Sequence, residues 1–171
     1  MADTAALQQL YRDYYHTADL DAKTRFFAFD CKQVCRPRPD YAACDKAAIV
    51  RLLQEAPSLS ALTGVQVTGG KSFATIRSLS PEECTFACGD ACVQAAGFDS
   101  ATALHDYAVK NNWVGLRVDM WDVDEADNTK GSLIKVQYWW AFRFGQWTQV
   151  LHDILYIGPL DGTQGEGGQP I

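Results

Sequence analysis

A long β-hairpin is predicted by residues 133–157, which read LIKVQYWWAFRFGQWTQVLHDILYI. Aromatic and β-branched residues, which favour extended strands, fill both halves of this stretch. Phe144 and Gly145 separate the halves, and glycine supplies the positive φ that a two-residue hairpin turn needs. The turn predicts that Arg143 pairs with Gln146, and this pair sets the register of the two strands.

The rest of the chain places helices and further strands before this hairpin. Helical spacing of apolar residues predicts helices over residues 4–16, over 21–29, from the cap Asp45 to just before Pro57, and over 99–111. Extended patterns predict strands over residues 31–37, 65–80 and 113–123. Helices that precede a terminal antiparallel sheet indicate an α+β fold with the helices on one face. A strongly curved sheet with helices over its concave side leaves an apolar pocket, where ligands bind.

The length and composition favour one soluble domain. The 171 residues fall in the usual range of about 100–200 residues per domain. We expect one domain over residues 1–160 and a mobile, glycine-rich tail over 161–171. The 15 Lys and Arg against 21 Asp and Glu give a net charge of −6, which argues against nucleic acid as a partner. No apolar run reaches the roughly 20 residues that span a bilayer, so we expect no membrane contact.

The amino terminus and the cysteines bear on location and on metals. No secretory signal is visible, so we expect a cytoplasmic protein whose six cysteines are reduced. Cys84, Cys88 and Cys92 are spaced four apart, but no close Cys/His pairs of a zinc site occur. We therefore expect no metal ion. Phosphate loops, dinucleotide fingerprints and serine-nucleophile motifs are also missing from the sequence.

Asp153 and His152, two titratable residues side by side in the last strand, are the first candidates for catalysis. Strand alternation places them on opposite faces of the sheet, so only one of them can face the pocket. The regular hairpin register groups Asp153 with Tyr138, Trp140 and Leu155 on the more apolar face, so this face is expected to line the pocket. An unpaired carboxylate there suits a general base or acid. The alternative is a structural ion pair with Arg36. A one-residue bulge would reverse the faces and make His152 the pocket residue instead.

Several other residues are candidates for binding or catalysis. Tyr14 lies on the buried stripe of the first helix, where its phenol can donate to a substrate oxygen, although such a residue also suits a core. Arg36 and Arg38 flank Pro37 at the expected pocket mouth, where an arginine can hold an oxygen anion. Substrate contacts are further predicted for Tyr138, Trp140, Leu155, Arg38 and Asp119. Two of these have an alternative: Arg38 also suits a solvated loop, and strand alternation sends Asp119 toward the outer face, where it would suit a subunit interface.

Three stretches resemble the SnoaL-like branch of the nuclear transport factor 2-like superfamily. They are YRDYYHTADLD at residues 11–21, FFAFD at 26–30 and FRFGQWTQVLHD at 142–153. The resemblance implies a cone-shaped, curved antiparallel sheet with the amino-terminal helices over its concave face. It also implies a homodimer and, among the enzymes of the family, cyclase, isomerase or dehydratase chemistry without a cofactor. Residues 81–111 depart from the compact family pattern.

Together these observations predict a cofactor-independent isomerase, cyclase or dehydratase. Asp153 would be the general base or acid, with Tyr14, Arg36 and His152 supplying hydrogen bonds or a proton relay to a hydrophobic, oxygenated small molecule of the secondary-metabolite type. The alternative is a ligand carrier or dimerisation module of the same fold. An outer face with Trp113, Trp121, Trp139 and Tyr156 would suit such a protein contact.

Overall fold

A curved, open sheet of six strands forms the centre of the fold in the computed structural model, which describes residues 3–171. In chain order the strands are β1 (Phe27–Cys35), β2 (Lys71–Ser78), β3 (Val114–Val123), β4 (Gly131–Arg143), β5 (Gln146–Pro159) and β6 (Gln169–Pro170). Their order across the sheet is β1-β5-β4-β3-β2-β6. β1 runs parallel to β5, whereas all other neighbours are antiparallel. The predicted α+β class and the three long carboxyl-terminal strands are therefore confirmed.

Within residues 3–171 six α-helices accompany the sheet, and five of them begin at an Asp or Ser whose side chain caps the first turn. The helices are α1 (Thr4–His16), α2 (Leu20–Lys23), α3 (Lys46–Glu55), α4 (Leu59–Thr63), α5 (Asp90–Gln94) and α6 (Ala101–Lys110). Short 3-10 turns lie at Thr24–Phe26, Pro39–Tyr41 and Glu82–Thr85. Within residues 3–171, no helix combines the length and the apolar character needed to cross a bilayer.

The helices divide between the two faces of the sheet. α1, α3 and α4 cover one face, called the pocket face below, where the Tyr11 ring lies 4.8 Å from the Tyr138 ring of β4. Residues 81–111, which include α5 and α6, cover the opposite or outer face, where Phe86 packs 4.7 Å from the Trp139 ring. Trp139 is only 3% exposed. The outer-face contact proposed for Trp139 is therefore wrong, because this chain itself covers the tryptophan.

The turn of the long hairpin agrees with the prediction. Phe144 and Gly145 have φ values of 52° and 82°, the left-handed pair that a tight two-residue turn requires. Arg143 pairs with Gln146 on either side of the turn.

Farther along, β5 departs from the regular register. Trp140 pairs with Gln149, but Trp139 pairs with Leu151, so Val150 is an extra residue in β5. Such a bulge moves the following side chains of β5 to the other face relative to β4. A second shift follows at Leu155. The faces predicted from a regular hairpin are therefore wrong for residues 151–155.

Two of the earlier predicted elements have different bounds. The helix predicted over 21–29 ends at Lys23, because the chain tightens into a 3-10 turn and β1 already begins at Phe27. The strand predicted over 65–80 is limited to β2. Before it, α4 ends at Gly64, which has a φ of 73°, in a stretch that the sequence pattern alone did not identify as helical.

The glycine-rich tail lies against the sheet. β6 pairs with β2 at the edge of the sheet. The Lys135 ammonium donates to Asp161 at 2.6 Å, and the Gly165 amide donates to Asp119 at 2.9 Å. These contacts hold the tail against the outer face. The sequence leads us to expect a mobile tail instead.

Candidate functional site

A cavity of about 410 Å³ lies between the pocket face of the sheet and the helices α1, α3 and α4. Its walls combine apolar residues with tyrosines, and they contain few charged groups. From the sheet they include Gln33, Phe73, Met120, Asp122, Ile134, Val136, Tyr138, His152 and Ile154. From the helices and loops they include Tyr11, Tyr14, Tyr15, Lys23, Tyr41, Leu53, Leu59 and Leu62.

His152 is the titratable group that β5 presents to this cavity. The bulge at Val150 brings it opposite Tyr138, and the two rings lie 5.0 Å apart in an edge-to-face arrangement. Phe27 of β1 packs on another side at 4.9 Å, also edge to face. Burial among these rings lowers the pKa of His152 to about 3, because a charged imidazolium would lose its hydration there. The imidazole is therefore neutral at physiological pH.

Gln149 orients the His152 ring. The His152 Nε2 atom and the Gln149 Oε1 atom are 2.7 Å apart. With the Gln149 amide oxygen facing the ring, Nε2 is the donor and Nδ1 keeps its lone pair, because an amide oxygen only accepts hydrogen bonds. Among residues 3–171, Nδ1 has no hydrogen-bond partner, and it is not one of the fully enclosed unpartnered polar atoms. A proton acceptor is thus available at the wall of the cavity.

Three tyrosines line the same cavity, and one of them, Tyr138, contacts the His152 ring. The Tyr138 ring lies 4.8 Å from that of Tyr11 and 5.9 Å from that of Tyr14. Burial raises the pKa of Tyr138 to about 12, an effect partly offset by the two neighbouring phenols, and it raises the pKa values of Tyr11 and Tyr14 well above the usual range. All three are neutral phenols and hence hydrogen-bond donors.

Tyr41, in the same cavity, differs from these three tyrosines because its hydroxyl has a backbone acceptor. The Tyr41 hydroxyl donates to the backbone oxygen of Leu52 at 3.3 Å. Within the described part of the chain, Tyr11, Tyr14 and Tyr138 donate to no backbone or carboxylate oxygen, and the Tyr11 hydroxyl is fully enclosed without a partner. Tyr14 and Tyr138 are therefore the phenols best placed to serve a ligand.

Asp153 lies on the outer face, and its predicted position in the pocket is wrong. Its carboxylate accepts two hydrogen bonds from Arg36, from Nε at 3.0 Å and from Nη2 at 2.7 Å. Burial raises the pKa of Asp153, while the Arg36 guanidinium opposes this shift. The ion pair considered as the alternative is therefore the arrangement found, and neither Asp153 nor Arg36 reaches the cavity.

The structure spreads the remaining predicted residues over different places. Tyr14 and Tyr138 line the cavity, as predicted. Trp140 is fully buried and belongs to the core, and the half-buried Leu155 lies with Arg36 on the outer face. These two expected pocket positions are wrong, the second because the bulge turned the strand.

Arg38 and Asp119 also lie outside the cavity walls. Arg38 packs over the Tyr41 ring at 5.2 Å and approaches Asp40. Asp119 accepts from Arg117 at 2.7 Å and from the tail. The predicted substrate contact of Asp119 is not supported, because its strand turns it toward the outer face. Sequence reasoning missed Lys23 in the cavity wall and Gln149 as the partner of His152, and only the shortened α2 and the observed bulge reveal them.

The whole chain, residues 1–171, matches the family model of the SnoaL-like domain. The protein therefore belongs to the SnoaL-like domain family, as the sequence resemblance predicted. No curated protein is significantly similar in sequence.

Solved structures of similar fold come from several kinds of protein. A hexachlorocyclohexane dehydrochlorinase, LinA type 2, is 13% identical, with 94% of this chain and 93% of that chain covered and a TM-score of 0.49. A candidate scytalone dehydratase from Novosphingobium aromaticivorans is 14% identical, with coverages of 93% and 87% and a TM-score of 0.49. The β subunit of benzoate 1,2-dioxygenase from Burkholderia mallei is 14% identical, with coverages of 94% and 93% and a TM-score of 0.46. At these identities the similarity concerns the fold alone.

Proposed function

We propose that this protein catalyses a cofactor-independent isomerisation or dehydration of a hydrophobic, oxygenated small molecule. The observation that carries the proposal is the neutral His152, held by Gln149 with its Nδ1 lone pair at the wall of a tyrosine-lined, apolar cavity. In the assigned reaction, Nδ1 takes a proton from the carbon next to a substrate carbonyl. Tyr14 or Tyr138 donates a hydrogen bond to the carbonyl oxygen as it gains negative charge.

The following step completes the reaction without any change in oxidation state. Return of the proton from His152 to a different carbon gives an isomer. Delivery of the proton to a hydroxyl group on the next carbon releases water and gives an unsaturated ketone. Burial disfavours the imidazolium in the free protein, and a developing enolate beside it offsets part of that cost. The pair of imidazolium and enolate forms only when substrate fills the cavity, so His152 is an unprotonated base in the free protein.

The enolisation step can be measured without knowledge of the natural substrate. The probe is 2-tetralone, a bicyclic ketone, and its α-proton exchange in deuterated buffer is followed by proton NMR. We expect the native protein to accelerate exchange over buffer, and His152→Gln to lower the protein-dependent rate by about 100-fold or more. His105→Gln is the matched control, because His105 lies on α6 outside the cavity, and it should retain the native rate.

The role of the phenols is tested in the same assay. Tyr14→Phe keeps the ring and removes the donor, so we expect a loss of about tenfold, the usual effect of one hydrogen bond to a charged group. A native protein that binds tetralone but exchanges its protons no faster than buffer would refute the catalytic proposal. That result would favour the alternative function, a carrier that uses the same cavity.

A further inference from the structure

Lys23 is the one cationic side chain in the cavity wall formed by residues 3–171, because His152 is neutral. It is the last residue of α2, and the 3-10 turn that follows directs the chain into β1. The Lys23 ammonium lies 4.8 Å from the centre of the Tyr14 ring, in a cation–π arrangement. The side chain is half-buried, and this burial lowers the pKa of Lys23.

Lys23 has no carboxylate within 4.0 Å among the described residues, whereas most charged groups of the outer face are paired. Asp122, the one carboxylate that the described residues place in the cavity wall, accepts a hydrogen bond from the Ser72 hydroxyl at 2.6 Å. A half-buried ammonium without an anionic partner is unfavourable unless another group compensates it. The Tyr14 ring supplies only part of that compensation.

We propose that Lys23 binds the carboxylate of the substrate, and that the substrate is therefore an apolar carboxylic acid. This inference rests on the proposed function, since it assigns the far end of the molecule that His152 attacks. Tyr14 and Tyr138 connect the two ends of the site. Tyr14 contacts Lys23, its ring is 5.9 Å from that of Tyr138, and the Tyr138 ring is 5.0 Å from that of His152. A substrate with an apolar body between its carboxylate and its reacting carbon would lie along this row of contacts.

The test compares two probes that differ only in charge, 2-naphthoate and 2-naphthamide, by isothermal titration calorimetry. We expect the native protein to bind naphthoate about tenfold more tightly, as one charge-assisted hydrogen bond provides. Lys23→Met should abolish this preference, and Lys23→Arg should restore most of it. Lys110→Met removes an exposed lysine of α6 and should leave the preference at the native value.

The imidazole carbon-bound proton signals of His152 report independently that a probe occupies the cavity. If both probes shift these signals but bind equally to the native protein and to Lys23→Met, the inference about Lys23 is refuted while the proposed function stands. If neither probe shifts them, the cavity does not accept planar apolar acids, and this inference fails. Loss of tetralone exchange in the His152→Gln variant would still decide the proposed function separately.

Discussion

Acidification should lower the free energy of unfolding through protonation of His152, and the substitution His152→Gln should remove this contribution. Burial lowers the pKa of His152 from its ordinary value of 6.5 to about 3. Between these two values the unfolded chain binds a proton that the folded chain does not bind. Stability therefore rises with pH across this window, and it is lost as the pH falls below about 6.5. Going from about pH 7 to about pH 4.5, this single group should remove roughly 2.5 kcal/mol from the free energy of unfolding.

Urea unfolding at a series of pH values measures this contribution. The free energy of unfolding of the native protein is compared with that of His152→Gln, which lacks the titrating ring. Contributions from carboxylates such as Glu83, whose ion pair with Arg77 lowers its pKa to about 2, are common to both proteins and cancel in the difference. The difference should change by roughly 2.5 kcal/mol over the window, and His105→Gln should behave as the native protein does. A difference that stays constant with pH would refute the burial of a neutral imidazole in the cavity.

Other contacts give predictions that can be checked with simple variants. Arg36→Met leaves the Asp153 carboxylate buried without its partner, so we expect the free energy of unfolding to fall by roughly 3–5 kcal/mol in urea titrations, and the double change Arg36→Met/Asp153→Leu to recover most of it. Phe86→Ala should cost roughly 3–5 kcal/mol and shift the emission of Trp139 to longer wavelength, whereas a cost below about 1 kcal/mol would show that residues 81–111 pack loosely on the sheet. In nitrogen-15 NMR spectra, His152 should show the pattern of a ring protonated at Nε2, and a ring protonated at Nδ1 would contradict the assigned proton acceptor.

Local chemistry explains which parts of the fold could be predicted from the sequence. The turn at Phe144 and Gly145 depends on two adjacent positive φ values, and a glycine beside two aromatic strands is a local signal for them. The starts of α3 and α6 depend on capping by Asp45 and Ser100, which is also local. These features hold in the structure because no distant contact overrides them.

The face of β5 depends on distant contacts, and the regular register therefore failed there. No residue near Val150 marks it as the one that bulges. Gln149 pairs with Phe27 of β1 before the bulge, and Leu151 pairs with Lys32 after it, so β1 shifts register at the same place. The bulge thus depends on how β1 pairs with the edge of the hairpin. The sequence of the hairpin alone does not show this pairing. The possibility of a bulge could be stated in advance, but its presence could not.

Residues 81–111 and the tail show the same limitation. Gln137 donates to the backbone oxygen of Glu83 at 3.2 Å, and Arg36 donates to that of Ala87 at 3.3 Å. These bonds join parts of the chain that lie about 50 residues or more apart in sequence. Neither periodicity nor composition identifies such partners, so the packing of residues 81–111 on the outer face could not be predicted from the sequence.

The adjacent residues His152 and Asp153 show why the base of the proposed reaction is an imidazole. A buried carboxylate acts as a base near neutral pH when burial raises its pKa and no cation holds it. Asp153 is buried, but Arg36 holds both of its oxygens from the outer face. His152 has the opposite surroundings, since aromatic rings exclude charge from it and its hydrogen bond is with the neutral Gln149 amide. One extra residue in β5 therefore selects a neutral acceptor for the cavity and leaves the charged pair to hold the outer face.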